Sequence, residues 1–305
     1  MKVLGLSAVI AGAMVTPAVA CDLCSVYAAS EAQGGTGAGF LGGIAESYNH
    51  FGTLRDGGHV IDIPGDKEFI NSSVSQVFLG YNFNEDFGLQ LNVPIIHRSW
   101  GSSISNGSET GLGDVSLIGN YVAYKKIEEN YTFNWTVMGG IKFPTGDPNH
   151  LGDPDFGAGI GGHDLALGSG SYDGIVGTGV FGRWKRGFLT ANVQYAIRSE
   201  GSFHHQYAND LTWSGGPGAY LLLKDDYTVA LQGLVSGETK GKDTFSGVDD
   251  SDSAETLVYV GPQVNFTWKG KLSAQFGVDL PVSIYNSGTQ VMSDYRVRAA
   301  VTWRF

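Results

Sequence analysis

The last eleven residues, 295–305, alternate without a break. Tyr295, Val297, Ala299, Val301, Trp303 and Phe305 share one face, and Arg296, Arg298, Ala300, Thr302 and Arg304 share the other. Side chains of a strand repeat every two residues, so this segment shows an aromatic, apolar surface on one side and a run of arginines on the other. The first surface needs hydrocarbon or a second sheet, and the second needs water or carboxylates. A strand set between lipid and an aqueous lumen satisfies both at once.

Composition supports the same reading. Glycine supplies 46 of 305 residues and charged residues only 16%, against roughly 25% in ordinary soluble domains. Beyond the amino-terminal region no stretch approaches about 18 apolar residues, so no transmembrane helix is expected. Membrane strands need apolar residues only at alternate positions, which keeps average hydropathy low. The net charge of -11 argues against a nucleic-acid partner. Residues 1–20 read as a secretory signal, with Lys2, an apolar run over 3–15 and the small-x-small site Ala18-Val19-Ala20. Cleavage there leaves 285 residues (305 minus 20) beginning at Cys21. A lipoprotein would also begin on cysteine, but Ala18 stands where a lipobox carries leucine, which makes lipidation of Cys21 the lesser alternative.

About twelve alternating or aromatic-rich segments follow, centred on 39–53, 70–83, 88–99, 113–124, 131–143, 172–184, 188–198, 211–223, 227–236, 256–268, 272–285 and 295–305. The breaks between them alternate short and long. Residues 84–86, 125–130, 185–187, 224–226 and 269–271 are short; 54–69, 100–112, 144–171, 199–210, 237–255 and 286–294 are long. Outer-membrane barrels have short periplasmic turns and long external loops, and an even strand count puts both termini in the periplasm. The expected fold is therefore an all-β transmembrane antiparallel barrel over 39–305, preceded by the signal (1–20) and a cysteine-bearing periplasmic arm (21–38). Within 272–285, parity sends Leu272, Ala274, Phe276, Val278, Leu280, Val282 and Ile284 to lipid and Ser273, Gln275, Asp279 and Ser283 inward. In the same way Leu189, Ala191, Val193, Tyr195 and Ile197 oppose Thr190, Asn192, Gln194 and Arg198. The expected lumen lining includes Arg98, Arg198, Asp279, Arg296, Arg298 and Arg304, with Glu46, Asp114 and Asp279 as partners. Unpaired, these arginines would select anions; paired, they would brace a narrow bore, which is the expected default.

The carboxyl-terminal segment resembles the assembly signal of bacterial outer-membrane barrels, carried here by Tyr295, Val301, Trp303 and Phe305. The resemblance implies outer-membrane lipids and the barrel-assembly machinery as partners. Three motifs stand in order: Gly111-Leu112-Gly113-Asp114-Val115-Ser116-Leu117, Lys142-Phe143-Pro144-Thr145-Gly146-Asp147 and Leu167-Gly168-Ser169-Gly170-Ser171-Tyr172-Asp173. The set resembles the outer-membrane proteins associated with the meta-pathway of phenol degradation, which are related to FadL-like fatty-acid channels. That resemblance implies a barrel passing hydrophobic or aromatic small molecules. Gly113, Pro144, Gly146 and Gly168 are expected to shape strand ends.

Cys21 and Cys24 are the only cysteines, and in an oxidising compartment they are expected to form a local disulfide; a metal or redox role is the alternative. The pair is similar to one in barrels that sheath multihaem cytochromes, but no CxxCH occurs here, so no haem or other cofactor is implied. His97 and Ser99 share a face near an external end, as in outer-membrane phospholipase, without an assignable asparagine; the alternative is an interfacial pair beside an anchoring Trp100. Asp147, Asp153, Asp155, Asp164, Asp243, Asp249, Asp250, Asp252 and Glu255 are expected in solvated loops, with no EF-hand spacing. His204-His205 is a weak metal pair. The function expected is a non-enzymatic outer-membrane channel for small, hydrophobic or aromatic solutes. The alternatives are a plugged structural or partner-binding barrel, such as an accessory to periplasmic redox or metal proteins, and a lipid hydrolase using His97 and Ser99.

Overall fold

Alternating sequence closes into a ring. The computed structural model describes residues 38–65 and 67–305. Its twelve long strands are β1 (Gly39–Asp56), β2 (Phe69–Asn82), β3 (Phe87–Gly101), β4 (Ser116–Glu128), β5 (Tyr131–Lys142), β6 (Asp173–Trp184), β7 (Gly187–Ile197), β8 (Asp210–Leu223), β9 (Tyr227–Lys240), β10 (Glu255–Trp268), β11 (Leu272–Asn286) and β12 (Thr289–Arg304). Each pairs antiparallel with the next, and β12 returns to β1 with Ile44 opposite Val301 and Tyr48 opposite Val297. Closure gives each of the twelve long strands a neighbour on both sides, a condition for a sheet in hydrocarbon. The end of the barrel with short connections is the turn end; the other is the loop end.

Parity sorts the side chains as the sequence implies. Along β12, Ala299, Val301 and Trp303 face out while Arg296, Arg298, Ala300 and Thr302 are buried inward. Along β7, Leu189, Val193 and Ile197 are exposed on the outer wall, with Thr190, Asn192 and Gln194 inside. Aromatic rings gather outside at the turn end: Phe40 and Tyr81 stand 4.7 Å apart, Tyr81 and Phe83 5.2 Å, Phe83 and Phe87 5.6 Å. Trp303 lies on the same rim, 6.3 Å from Trp268. Such a girdle marks the membrane boundary.

Four expectations are corrected. The interval 286–294 is not a long loop: β11 and β12 join through Ser287 and Gly288, and Gly288 takes the left-handed φ of 58° that favours glycine. The strand continues through Thr289–Asp294, but a register shift beside Phe51 breaks its alternation and hides it from sequence reading. Likewise 100–112 contains a strand, Asn106–Leu112, that pairs with the loop-end half of β3. In β11 a bulge at Pro281–Ser283 reverses parity, so Val282 and Ser283 are exposed while Ile284 packs against Leu257, Tyr259 and Met292. Finally, Trp100 is 7% exposed and points inward, so it is not an interfacial anchor.

Candidate functional site

The long segment 144–171 does not stand in solvent. Its apolar residues Ile160 and Leu165 pack on the inward side chains Ile70, Trp100 and Val291 from β2, β3 and β12, and Leu167 packs on Val74 and Ile96. A single helical turn, α1 (Gly162–Leu165), lies in this segment. Its outgoing carbonyls are held by Arg98 of β3, whose Nη1 donates to the Ala166 carbonyl at 3.0 Å and also to that of Asp164. Glu68, ahead of β2, accepts from the backbone N–H of Gly159 at 2.8 Å, and Val291 N–H donates to the Gly159 carbonyl at 3.0 Å. Tyr207 donates to the His163 carbonyl at 2.8 Å. The loop thus folds over the bore, its backbone groups satisfied by wall residues as burial demands.

The base of this loop is where the three motifs meet. Lys142 Nζ lies 2.7 Å from Asp114 and 2.7 Å from Asp173, with all three side chains at most 6% exposed. Ser169 Oγ donates to Asp114 at 2.8 Å, and Ser171 Oγ to Asp173 at 2.8 Å. Gly146 N–H donates to Asp114 at 2.9 Å. Gly146 and Gly168 cross backbone to backbone: a Cβ on Gly168 would stand 2.5 Å from the Gly146 carbonyl carbon. Gly146 and Gly168 therefore permit a close chain crossing, and the motif polar residues form the buried lock beside it.

The lock extends around the wall. Arg198 reaches Asp173 at 3.0 Å and Asp210 at 2.6 Å. Lys240 stands in register with Asp210 on one side and Glu255 on the other, and its Nζ lies 2.8 Å from Asp243. From β4 to β10 the loop-end positions thus read Asp114, Lys142, Asp173, Arg198, Asp210, Lys240, Glu255, alternating in sign around the inside of the ring. A buried charge without a partner costs several kcal/mol, so alternation on neighbouring strands is how such a belt is tolerated.

Belt and loop enclose a cavity of about 1120 Å³, open mouth included. One arc of it carries the belt side chains; the other, from β12 through β3, is largely apolar, with Phe51, Ile70, Ile96 and Val291 beside Ser72, Arg98 and Gln290, and Leu167 of the loop packs on it. A second cavity of about 660 Å³, open mouth included, is lined by Asn192, Gln194, Gln232 and Gln263 with Arg296 and Arg298, and by the apolar residues Met138, Trp213 and Leu234. Lumen side chains also fill the bore: Gln76, Asn92 and Gln232 are at most 2% exposed. Among the described residues no group of three or more histidines, cysteines or acids is placed to hold a metal.

The six expected lumen residues separate into four places. Arg296 and Arg298 converge on Asp279, their Nε atoms at 3.0 and 2.7 Å, and Arg296 also stacks 4.3 Å over the Tyr259 ring. Arg198 belongs to the belt, Arg98 to the loop clamp, and Arg304 lies at the turn end opposite Leu41. Three of the five arginines, Arg198, Arg296 and Arg298, thus brace carboxylates. Sequence reading missed Lys142, Asp173, Asp210 and Lys240 as site residues, although Asp114, Lys142 and Asp173 stand in the three motifs. Two expected loop acids, Asp243 and Glu255, are buried rather than solvated, at 0% and 4% exposure. Cys21 and Cys24 lie outside the described residues.

On the outer wall, His97 Nδ1 is 2.6 Å from Thr110 Oγ1, while Asn71 donates to Ser99 Oγ at 3.2 Å. An asparagine is present: Asn71 holds Ser99 on one side and, through Oδ1, His50 Nδ1 at 2.7 Å on the other, while His97 pairs with Thr110. Of the loop histidines, His204 is exposed beside Glu200, whereas His205 is buried and stacks 6.1 Å from His163. Burial lowers the His205 pKa to about 4, with His163 and Lys240 acting in the same direction and Asp243 and Asp250 against it.

The comparisons place this geometry among known proteins. None of the curated proteins compared matches the chain. Among solved structures, the COG4313 outer membrane channel from Pseudomonas putida F1 matches 88% of this chain and 96% of its own at 15% identity and a TM-score of 0.62, a likeness of fold. The translocator domain of autotransporter NalP from Neisseria meningitidis matches at 13% identity over 92% and 94% of the two chains, TM-score 0.46. A Pseudomonas aeruginosa FadL homologue matches at 11% identity over 88% and 90%, TM-score 0.37. The family described as "Putative MetA-pathway of phenol degradation" matches residues 68–293, a span that begins at the loop-holding Glu68 and takes in all three motifs and the charge belt, and the chain belongs to that family of outer-membrane β-barrels.

Proposed function

We propose that the protein is an outer-membrane channel for small, uncharged solutes with an apolar or aromatic body, with both termini in the periplasm. The observation that carries this reading is the two-faced cavity under segment 144–171, largely apolar on the β12–β3 arc, where Arg98 is turned to the loop carbonyls, and charged on the belt arc. In a belt whose cations are all paired with acids no unpaired cation is left to select anions, while the largely apolar arc favours solutes with aliphatic or aromatic surface. Passage then requires the loop to swing out, and Arg98 and Glu68 are among the side chains that clamp its backbone. In this reading the leader 1–20 directs export and Cys21 pairs with Cys24, which thiol alkylation before and after reduction tests.

The test is flux into proteoliposomes. Phenol-sized neutral aromatics should enter faster than sugars of similar size. Hydrogen bonds to a charged group contribute about 1.5–3 kcal/mol, so Arg98→Ala should raise open-state conductance events roughly tenfold to a hundredfold. Equal fluxes for both solute classes in wild type and variant would refute the channel reading. A second reading, a plugged barrel that serves a partner, draws on the fully paired belt and side-chain-filled bore; it predicts no flux even when the loop is released.

A further inference from the structure

Two connections at the turn end repeat one device. Trp184-Lys185 ends β6 and Trp268-Lys269 ends β10, and in both pairs the lysine takes a left-handed backbone, with φ of 53° and 50°. Glycine or asparagine fills such a turn position with less strain. Each lysine is fixed there by its own backbone N–H, which donates to the neighbouring turn, Lys185 to the Asn130 carbonyl at 2.7 Å and Lys269 to that of Asp226 at 2.6 Å. The same geometry aims the side chains. Lys185 Nζ stands 5.7 Å from the centre of the Trp184 ring, and Lys269 Nζ 5.4 Å from that of Trp268. Both rings point outward, Trp184 at 71% and Trp268 at 40% exposure, in the girdle that marks the membrane boundary. Tyr131 lies beside Trp184 in register, and Tyr227 and Leu272 lie beside Trp268.

We propose that these two Trp–Lys turns are clamps for the headgroups of anionic phospholipids in the leaflet at the turn end. An ammonium resting over a ring face keeps donors free for a phosphate oxygen. An outward ring at the boundary sets that phosphate at headgroup level, with acyl chains along the outward Leu189 below one clamp and Val264 and Phe276 below the other. Charge on the rim points to an anion on this arc. Between β1 and β5 the cations are already paired, Lys125 at 2.8 Å from Glu85 and Lys126 at 2.9 Å from Glu128. Between β6 and β11, Lys185, Arg186, Lys224, Lys269 and Lys271 form no ion pair among the described residues, and the turn between the two clamps adds Asp225 and Asp226. A soluble acidic protein would meet the turn tips, whereas ammonium groups drawn back over outer-wall rings sit where lipid headgroups are. Only the statement that this end faces the periplasm rests on the channel reading; the clamps act at whichever leaflet meets the turn end.

Native mass spectrometry of the protein purified from outer membranes tests this with phosphatidylglycerol and phosphatidylethanolamine of identical acyl chains. Wild type should hold phosphatidylglycerol roughly tenfold more tightly. Lys185→Asn combined with Lys269→Asn should cut that preference to about twofold while phosphatidylethanolamine binding and heat-modifiable migration stay unchanged, because asparagine accepts the left-handed backbone. Lys126→Asn removes a cation already paired with Glu128 and should leave the preference intact. Inorganic phosphate, which brings the charge without acyl chains, should not displace the lipid. Equal binding of the two lipids by wild type overturns the proposal, as does a double variant that keeps the full preference. So does an equal loss in Lys126→Asn, or displacement by inorganic phosphate, which would mark a site for small anions instead. Solute flux should be the same in wild type and double variant, so failure of the clamps and failure of the channel reading show in different measurements.

Discussion

Replacing Lys142 with Met tests whether the motif node is the lock of the loop. Lys142 is the one cation between Asp114 and Asp173, at 2.7 Å from each, with side-chain exposures of 5%, 6% and 0%. Removing one partner of a buried ion pair costs about 3–5 kcal/mol. Here Asp173 keeps Arg198 at 3.0 Å and Ser171 at 2.8 Å, and Asp114 keeps the N–H groups of Gly146 and Ser169, so the lower end applies, about 3 kcal/mol. That is roughly two decades in the folded-to-unfolded ratio. Asp114→Asn in the Lys142→Met background removes the stranded charge and should recover at least about 1 kcal/mol, because a neutral replacement of a buried pair is far cheaper than half of one.

Equilibrium urea unfolding in phospholipid vesicles, followed by tryptophan fluorescence, reads the stability. Proteinase K cleavage within 144–171 reads the release of the loop separately. Lys142→Met should lose both stability and loop protection, with the barrel still closed. A loss below about 1 kcal/mol, or a double variant no more stable than the single one, would refute the reasoning that the three motifs act as one electrostatic lock.

Three further outcomes follow from the same geometry. Gly168→Ala should expose segment 144–171 to protease and lower stability by about 1–3 kcal/mol, since its Cβ would stand 2.5 Å from the Gly146 backbone. His205, whose pKa falls from 6.5 to about 4 on burial, is held neutral by the fold, so its contribution is complete above pH 6.5. That contribution is lost as pH falls from 6.5 toward 4, and His205→Phe should flatten this part of a protease-protection profile measured against pH. Deleting Phe305, which is exposed and follows the outward Trp303, should slow membrane assembly severalfold in pulse-labelled cells while leaving the rest of the β12 pairing intact.

The sequence alone determined the barrel and its wall, because a two-residue side-chain period is a local property and lipid rewards it strand by strand. Leu189 to Ile197 and Val297 to Trp303 could be sorted into outer and inner faces before any contact was known. Local reading failed where a bulge shifted the period, so Ile284 turned inward and Thr289–Asp294 passed for loop. It failed also for Glu46, whose sign suggested a lumen arginine and whose parity put it on the outer wall beside Ser73 and Ser75. Only the closed ring decided the site. Asp114, Lys142, Asp173, Arg198, Asp210 and Lys240 are spread over more than a hundred residues, and they become neighbours because antiparallel register brings successive strand ends to one level. The motifs named three of those residues, but that they lock a loop across the bore follows from distances that exist only after closure.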